Sequence, residues 1–384
     1  MKAQEVPDYI KSTYGDAVKL TSDIHTELYY VLGANNVDGL TIYASNNLNN
    51  WNPELFPFSH NIKELQVNGV KVCLCINGNV DISSLSSDTI ATIMPLLMSL
   101  NVSQTDRNVN GIAPLLIVKF KNGSQKMYFC ENHYDEYNQD WGSGHEIYST
   151  SKIVNDLQQK PITPMDIVGN LRDSGHIVFE NYLSSDTTTN NLLETITNVD
   201  KASWNKICNA FPKGESVQLT YSDRYLKTPL GCILLAQLVY QLRKELGFEP
   251  SKTTIMLPTG IISSGIGYDS NTRSNDDIKI TDDFHSYKEC DNFLRMYLLK
   301  MCGINCEIIH ERLPHYRSLT ISGKNLELSI RPDGGVAYGW AVDNRTAPDL
   351  SLSDIRDNPG IDIDLFNKAS KNGGILYTIA YKKK

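Results

Sequence analysis

Histidine and arginine side chains concentrate in the second half of the chain, where the sequence pattern places them at the ends of strands. The cluster comprises Asp223, Arg224, His310, Glu311, Arg312, His315, Arg317 and Arg331. Arginine supplies forked donors that match phosphate oxygens, and histidine can act as a nucleophile or a general acid. The cluster therefore predicts a site for an anionic phosphate. The alternative is that these are ordinary charged residues of loops.

The element that positions the first of these residues spans residues 217–247. Apolar residues alternate over 217–221, as in a half-buried strand. Thr228 followed by Pro229 is typical of a helix start, because the hydroxyl caps the first turn and proline has a helical φ. Leucines then recur at helical spacing as far as Gly247, which predicts a left-handed C-terminal cap.

The polar corner between this strand and this helix, residues 222–225, carries Asp223 and Arg224. Ligands of α/β proteins bind at the carboxyl ends of strands, beside the N-termini of helices. The corner is therefore the place where we expect a ligand.

Strands and helices alternate along the rest of the chain, with Gly residues at many of the boundaries. Asn122-Gly123 predicts a hairpin, and Asp282 or Asp283 is the predicted cap of a helix that ends at Cys302. The last apolar run, residues 375–381, is predicted to be an edge strand. Further strands are predicted over 39–45, 70–76, 253–257, 304–309, 315–321 and 326–330, and further helices over 23–32, 61–68 and 87–100.

The two halves share a pattern of strand, helix, strand and then hairpin, although their sequences are not alike. This predicts an α/β fold with two related lobes, each with a mixed sheet flanked by helices. The predicted domains are an N-terminal lobe over 1–155, a helical and loop connector over 156–215, a C-terminal lobe over 216–345 and a tail with one strand over 346–384.

Composition narrows the class of protein. The chain has 384 residues, a net charge of -8 and a hydrophobic content of 41%, which suit a globular protein and argue against broad, non-specific binding of nucleic acid. No apolar run approaches the roughly 20 residues of a membrane-spanning helix. The N-terminus lacks a signal-peptide core and the eight Cys are scattered. We expect reduced, buried thiols in a cytoplasmic protein that does not bind a membrane.

Other motifs point less clearly to chemistry. His133, Asp135, His145 and Glu146 are metal-ligating residue types at a spacing that fits no ligand pattern well, and His145 with Glu146 reads more simply as a Gly-bounded turn before a strand. The loop over 260–277 is rich in Gly, Ser and Asn, but no Gly-Lys-Ser/Thr follows, so it is not a Walker motif. We predict no metal and no cofactor.

Three stretches resemble the phospholipase D-like superfamily. They are Ser222-Asp223-Arg224-Tyr225-Leu226, Leu313-Pro314-His315-Tyr316-Arg317 and the segment IRPDGGVAYGW at 330–340. The order of elements is most similar to the degenerate form in the C-terminal modules of MIT-domain proteins and in proteins that accompany helicases in prokaryotic phage defence. The opening of the first half, GLTIYAS followed by IKELQVNGVKVCLCI, also resembles a lobe of this superfamily.

The resemblance implies a His-x-Lys motif with an Asp a short step further on, in which the His attacks phosphorus and the Lys holds the phosphate oxygens. His315 matches the His, Arg317 replaces the Lys, and Ser322 stands near the Asp position. The first half has no such motif. We therefore expect a non-catalytic or weakly catalytic subunit of an antiviral defence complex, with a helicase or nuclease partner and possible contact with DNA.

The residues expected to hold phosphate are Asp223, Arg224, His310, Arg312 and Arg317. Two alternatives stay open. One is a phosphodiesterase or nuclease with His315 as the nucleophile, and the other is a structural adaptor that contacts only proteins.

Overall fold

The chain folds into two compact units, Met1–Ser174 and Gly175–Lys384. This computed structural model describes residues 6–21, 24–33, 36–44, 48, 65–78, 81–105, 112–131, 146–153, 159–184, 187–259, 278–311, 313, 317–343, 350–368 and 374–384. The predicted fold class, α/β with two related units of mixed sheets flanked by helices, is confirmed. The domain boundaries predicted from the sequence stay predictions.

The N-terminal unit is built on one mixed sheet. Its strands are β1 Val18–Lys19, β2 Val37–Tyr43, β3 Lys71–Asn77, β4 Asn101–Thr105, β5 Ile112–Phe120, β6 Gln125–Glu131, β7 Ile147–Thr150 and β8 Gln159–Ile162. Its helices are α1 Asp8–Thr13, α2 Ile24–Gly33, α3 Ser87–Ser99 and α4 Pro164–Asp173. The strand order is β1-β7-β6-β5-β2-β3-β4-β8, in which β2, β3 and β4 run parallel.

The C-terminal unit contains a second mixed sheet and a small three-stranded sheet. Its strands are β9 His176–Leu183, β10 Thr188–Thr189, β11 Ser216–Ser222, β12 Glu249–Pro258, β13 Glu307–Glu311, β14 Ser318–Ser322, β15 Leu326–Pro332, β16 Trp340–Val342, β17 Leu365–Asn367 and β18 Ile375–Lys383. Its helices are α5 Leu192–Thr197, α6 Lys201–Ala210, α7 Pro229–Leu246, α8 Tyr287–Cys302 and α9 Leu352–Asp357. The large sheet has the order β13-β12-β11-β14-β15-β18-β9.

The two large sheets repeat one topology. In each, a central strand has two parallel strands on one side, and an antiparallel hairpin followed by a further antiparallel strand on the other. The central strands are β2 and β11. The strand that comes first in each unit, β1 or β9, pairs with the last strand of this series. The similar succession of strands and helices in the two halves of the sequence therefore corresponds to the same order of strands in the two large sheets.

Local signals set the ends of helix α7 as predicted. The Thr228 hydroxyl accepts a hydrogen bond from the Gly231 N–H at 3.1 Å, and Pro229 fills the first helical position. Gly247 ends the helix with a φ of 71°. The leucine face of α7 is buried in the core of the unit, together with Phe293, Leu294 and Tyr297 of α8. The predicted hairpin at Asn122-Gly123 is also confirmed.

Two local predictions are wrong. Helix α8 begins at Tyr287 and is capped by Ser286, whose hydroxyl accepts from the Glu289 N–H. Asp283 is bound instead to Lys227, at 2.5 Å. Strand β18 is not at an edge, because β9, which we did not predict, pairs along its outer side.

The predicted loop at 260–277 and the metal-ligating residue types at 133–145 lie outside the described residues.

Candidate functional site

Asp223 lies directly after β11 and is buried, with 2% of its surface exposed. Its carboxylate accepts hydrogen bonds from the Tyr221 hydroxyl and from the Tyr225 N–H, each at 2.7 Å. The backbone of Val336 donates a further hydrogen bond. The carboxylate thus joins the end of β11 to the turn that follows β15.

Burial raises the pKa of Asp223, against the lowering effects of the hydrogen bonds from Tyr225 and Tyr221 and of the Arg317 charge. The pKa of Tyr221 is also raised, first by its own burial and then by the Asp223 charge. The backbone comes close at Gly335, where φ is 93° and a Cβ would lie 2.8 Å from Asp223 Oδ2. Only glycine fits this position without strain.

Arg317 lies between Asp223 and an aromatic ring. Its Nε is 3.9 Å from Asp223 Oδ1, and its Cζ is 4.8 Å from the centre of the Tyr225 ring. Its Nη1 donates to the Asp333 carbonyl oxygen at 2.8 Å. Its Nε has no hydrogen-bond partner among the described residues, and 12% of the side chain is exposed. Because three contacts hold the guanidinium plane, its remaining donors point in fixed directions.

The N-terminus of helix α7 does not supply the free donors that the corner motif suggested. Pro229 has no N–H, Leu230 N–H donates to the Ile280 carbonyl, and Gly231 and Cys232 both donate to Thr228. A phosphate at this corner would therefore be bound by side chains, with only the helix dipole in support.

His310 lies in a different environment from Asp223 and Arg317. Its Nε2 is 3.1 Å from both carboxylate oxygens of Asp291, and its Nδ1 is 3.4 Å from the Pro258 carbonyl oxygen. The Tyr287 ring meets it edge to face, with ring centres 5.0 Å apart. Both ring nitrogens thus face acceptors of the protein, which leaves neither directed at a ligand.

Of the residues that the sequence predicted to hold phosphate, Asp223 and Arg317 lie next to each other in the structure. Arg224 is half-buried in the same corner. His315 and Arg312 lie outside the described residues. The positions of Asp333 and Gly335 in the site were missed, although the segment Asp-Gly-Gly after a strand is a turn signal that could have indicated them.

Within the residues that the structure describes, no group of three or more His, Cys, Asp or Glu side chains could hold a metal ion. All eight cysteines lie in the described part of the chain, where none forms a disulfide and six are buried. In the described part of the chain, no helix is long and apolar enough to cross a membrane.

The fold and the site together define the class of protein. It has two α/β units with a common strand order, and the second unit holds an arginine beside a buried carboxylate at the ends of its strands. Residues 184–359, a little under half of the chain, match the family described as the C-terminal domain of the DEAD/DEAH box helicase YjiV. No curated protein matches the chain.

Solved structures with some similarity include a mutant yeast tyrosyl-DNA phosphodiesterase, at 8% identity over 95% of this chain and 88% of that chain, with a TM-score of 0.27. Another is phosphatidylserine synthase from Haemophilus influenzae Rd KW20, at 10% identity over 96% of this chain and 82% of that chain, with a TM-score of 0.25. Likenesses at this level say nothing about the chemistry of this chain.

Proposed function

We propose that this chain is a helicase-associated, phospholipase D-like protein that binds the phosphates of nucleic acid through its C-terminal unit. The observation that carries the proposal is the fixed guanidinium of Arg317, held by Asp223, Tyr225 and Asp333 at the edge where β11 ends and β14 begins. A preoriented arginine fork suits a phosphate better than a flexible lysine does.

Binding without efficient hydrolysis fits the residues of the site. Arg317 occupies the position at which the resemblance implies Lys, and Ser322 stands near the position that implies Asp. The carboxylate of Asp223 is buried and is turned toward donors of the protein, so a substrate or an attacking water does not reach it. The proposed role is therefore non-catalytic or weakly catalytic.

A helicase is the proposed partner, because the matched family is a domain of a helicase. We propose that the chain works beside such a motor, within an antiviral defence complex. The defence role rests on the sequence resemblance alone. Cross-linking and affinity purification of the tagged chain from its own cells should recover a DEAD/DEAH helicase in stoichiometric amounts. Recovery of the chain without a helicase would contradict the partner proposal.

Phosphate binding is tested with fluorescently labelled oligonucleotides across a salt series. Arg317→Ala should weaken binding and reduce the slope of log K against log salt by about one. Arg317→Lys keeps the charge without the fork and should recover only part of the affinity. Arg172→Ala, which removes an exposed arginine from helix α4 of the other unit, is the matched control. Equal losses in Arg317→Ala and Arg172→Ala would refute a specific phosphate site.

The phosphodiesterase alternative is favoured by one feature, namely that the fixed Arg317 follows His315 by two residues. Cleavage of the labelled oligonucleotide by the wild type, lost in His315→Ala while binding persists, would establish hydrolysis. Absence of both binding and cleavage, with a helicase recovered at high salt, would instead establish a protein adaptor, since apolar contacts resist salt.

A further inference from the structure

Two exposed tyrosine rings flank the Arg317 site. Tyr225 has 40% of its surface exposed and lies under the guanidinium of Arg317, with 4.8 Å between Cζ and the ring centre. Tyr338 has 57% of its surface exposed. Its ring lies against Gly334, the residue after Asp333, whose carbonyl oxygen accepts from Arg317. The Tyr225 ring thus contacts Arg317, and Arg317 in turn binds the backbone segment on which the Tyr338 ring lies.

Each ring is carried on a backbone that other contacts fix. The Tyr225 N–H donates to the buried Asp223 carboxylate. The Tyr338 N–H donates to the Gly335 carbonyl at 3.1 Å, and Trp340, two residues on, is buried with its Nε1–H bound to a tyrosine hydroxyl of β18. Rings on a fixed backbone at the surface lose little freedom when a planar group stacks on them.

We propose that the site binds single-stranded nucleic acid, with an unpaired base stacked on Tyr338 and a phosphate of the same strand held by Arg317. This deepens the proposed function and rests on it. Aromatic rings beside a cation form the usual platform for single strands, because every base has a face that can stack and every linkage carries a charge. In a duplex the bases are already stacked on one another, so the exposed rings would gain no partner.

The test compares three labelled probes of one length, a single strand, its duplex and an abasic strand that keeps the phosphates, on the full chain. The wild type should bind the single strand most tightly. Tyr338→Ala should weaken binding of the single strand roughly tenfold and leave the abasic strand unchanged. Tyr338→Phe should bind like the wild type, and Tyr240→Ala, which removes an exposed tyrosine further along helix α7, is the control.

The outcomes separate the two proposals. If Arg317→Ala weakens all probes but Tyr338→Ala weakens none, phosphate binding stands and base stacking is refuted. Equal affinity of the wild type for single strand and duplex also refutes the stacking proposal. If the wild type binds none of the probes, both proposals fall together.

Discussion

Replacement of Gly335 by alanine should destabilise the C-terminal unit, because its backbone lies against the buried Asp223 carboxylate. The φ of Gly335 is 93°, and a Cβ there would stand 2.8 Å from Asp223 Oδ2. That distance is too short for a carbon next to an oxygen, so either the turn or the carboxylate has to move. If the carboxylate moves, the hydrogen bonds from Tyr221 and Tyr225 are stretched or lost.

The magnitude follows from two contributions. An alanine at positive φ costs about 1–2 kcal/mol. Weakening one or two hydrogen bonds to a charged group adds about 1.5–3 kcal/mol. We therefore expect a loss of about 2.5–5 kcal/mol in the free energy of unfolding. That is a large share of the total stability of about 5–15 kcal/mol that is usual for a domain.

Gly175→Ala is the matched control. Gly175 belongs to the same unit and has a φ of 84°, but a Cβ there would have no atom within 4 Å. This variant should therefore lose only the backbone contribution, about 1–2 kcal/mol. The difference between the two variants measures the contact with Asp223.

The assay is urea unfolding of the full chain, read by hydrogen exchange of peptides from residues 216–230, so that the C-terminal unit is followed by itself. In a background of Asp223→Ala, Gly335→Ala should cost no more than the control does, because the clashing oxygen is gone. If Gly335→Ala and Gly175→Ala lose equal stability in the wild-type background, the close approach of this turn to Asp223 is refuted.

Two further predictions concern the end of β11 and the start of the helix that follows it, α7. Burial raises the pKa of Asp223, so its protonated form favours folding. The stability that this group contributes is complete below its unfolded pKa and is lost as pH rises through the folded value. The free energy of unfolding of the wild type minus that of Asp223→Asn should therefore increase as the pH is lowered from 7 to 4 in urea titrations; a difference independent of pH would contradict the burial argument. Thr228→Ala should cost about 1 kcal/mol by removing the cap of helix α7, whereas Thr228→Ser should be nearly neutral. Equal loss in both cap variants, measured by the same titration, would show that the hydroxyl bonded to Gly231 does not act as the cap.

Local chemistry explains which elements the sequence predicted well. Helix α7 carries its start at Thr228-Pro229, its leucine stripe and its end at Gly247 within one short stretch, so no distant residue is needed to place it. The pairing of β18 is different. Its apolar residues identify a strand, but its position inside the sheet depends on β9, which lies far away in the sequence. The sequence of β9 alternates less clearly: the buried face carries Asn181 beside Phe179 and Leu183, and the opposite face runs from the buried His176 to the exposed Tyr182.

The site shows the same division between local and distant contributions. The cluster of charges indicated Asp223 and Arg317, and their contact fits the expected corner. That Arg317 also rests on Tyr225 and binds the Asp333 carbonyl follows from tertiary packing, which no local spacing encodes. At His310 a distant residue works against the prediction. Asp291 of helix α8 contacts the His310 Nε2, so this nitrogen is not directed at a phosphate.

The interior position of β18 also constrains the order of events during synthesis. β9 ends at Leu183 and β18 starts at Ile375, so the ribosome adds 191 intervening residues before the partner of β9 exists. At roughly 5–20 residues per second, about 10–40 s pass in which β9 lacks its partner. β15 ends at Pro332, so its outer edge is unpaired only while the last 42 of these residues are added, about 2–8 s. Two unpaired edges in one nascent chain are a hazard for aggregation. A chaperone that shields these edges should therefore raise the yield of folded protein more than one that acts after release from the ribosome.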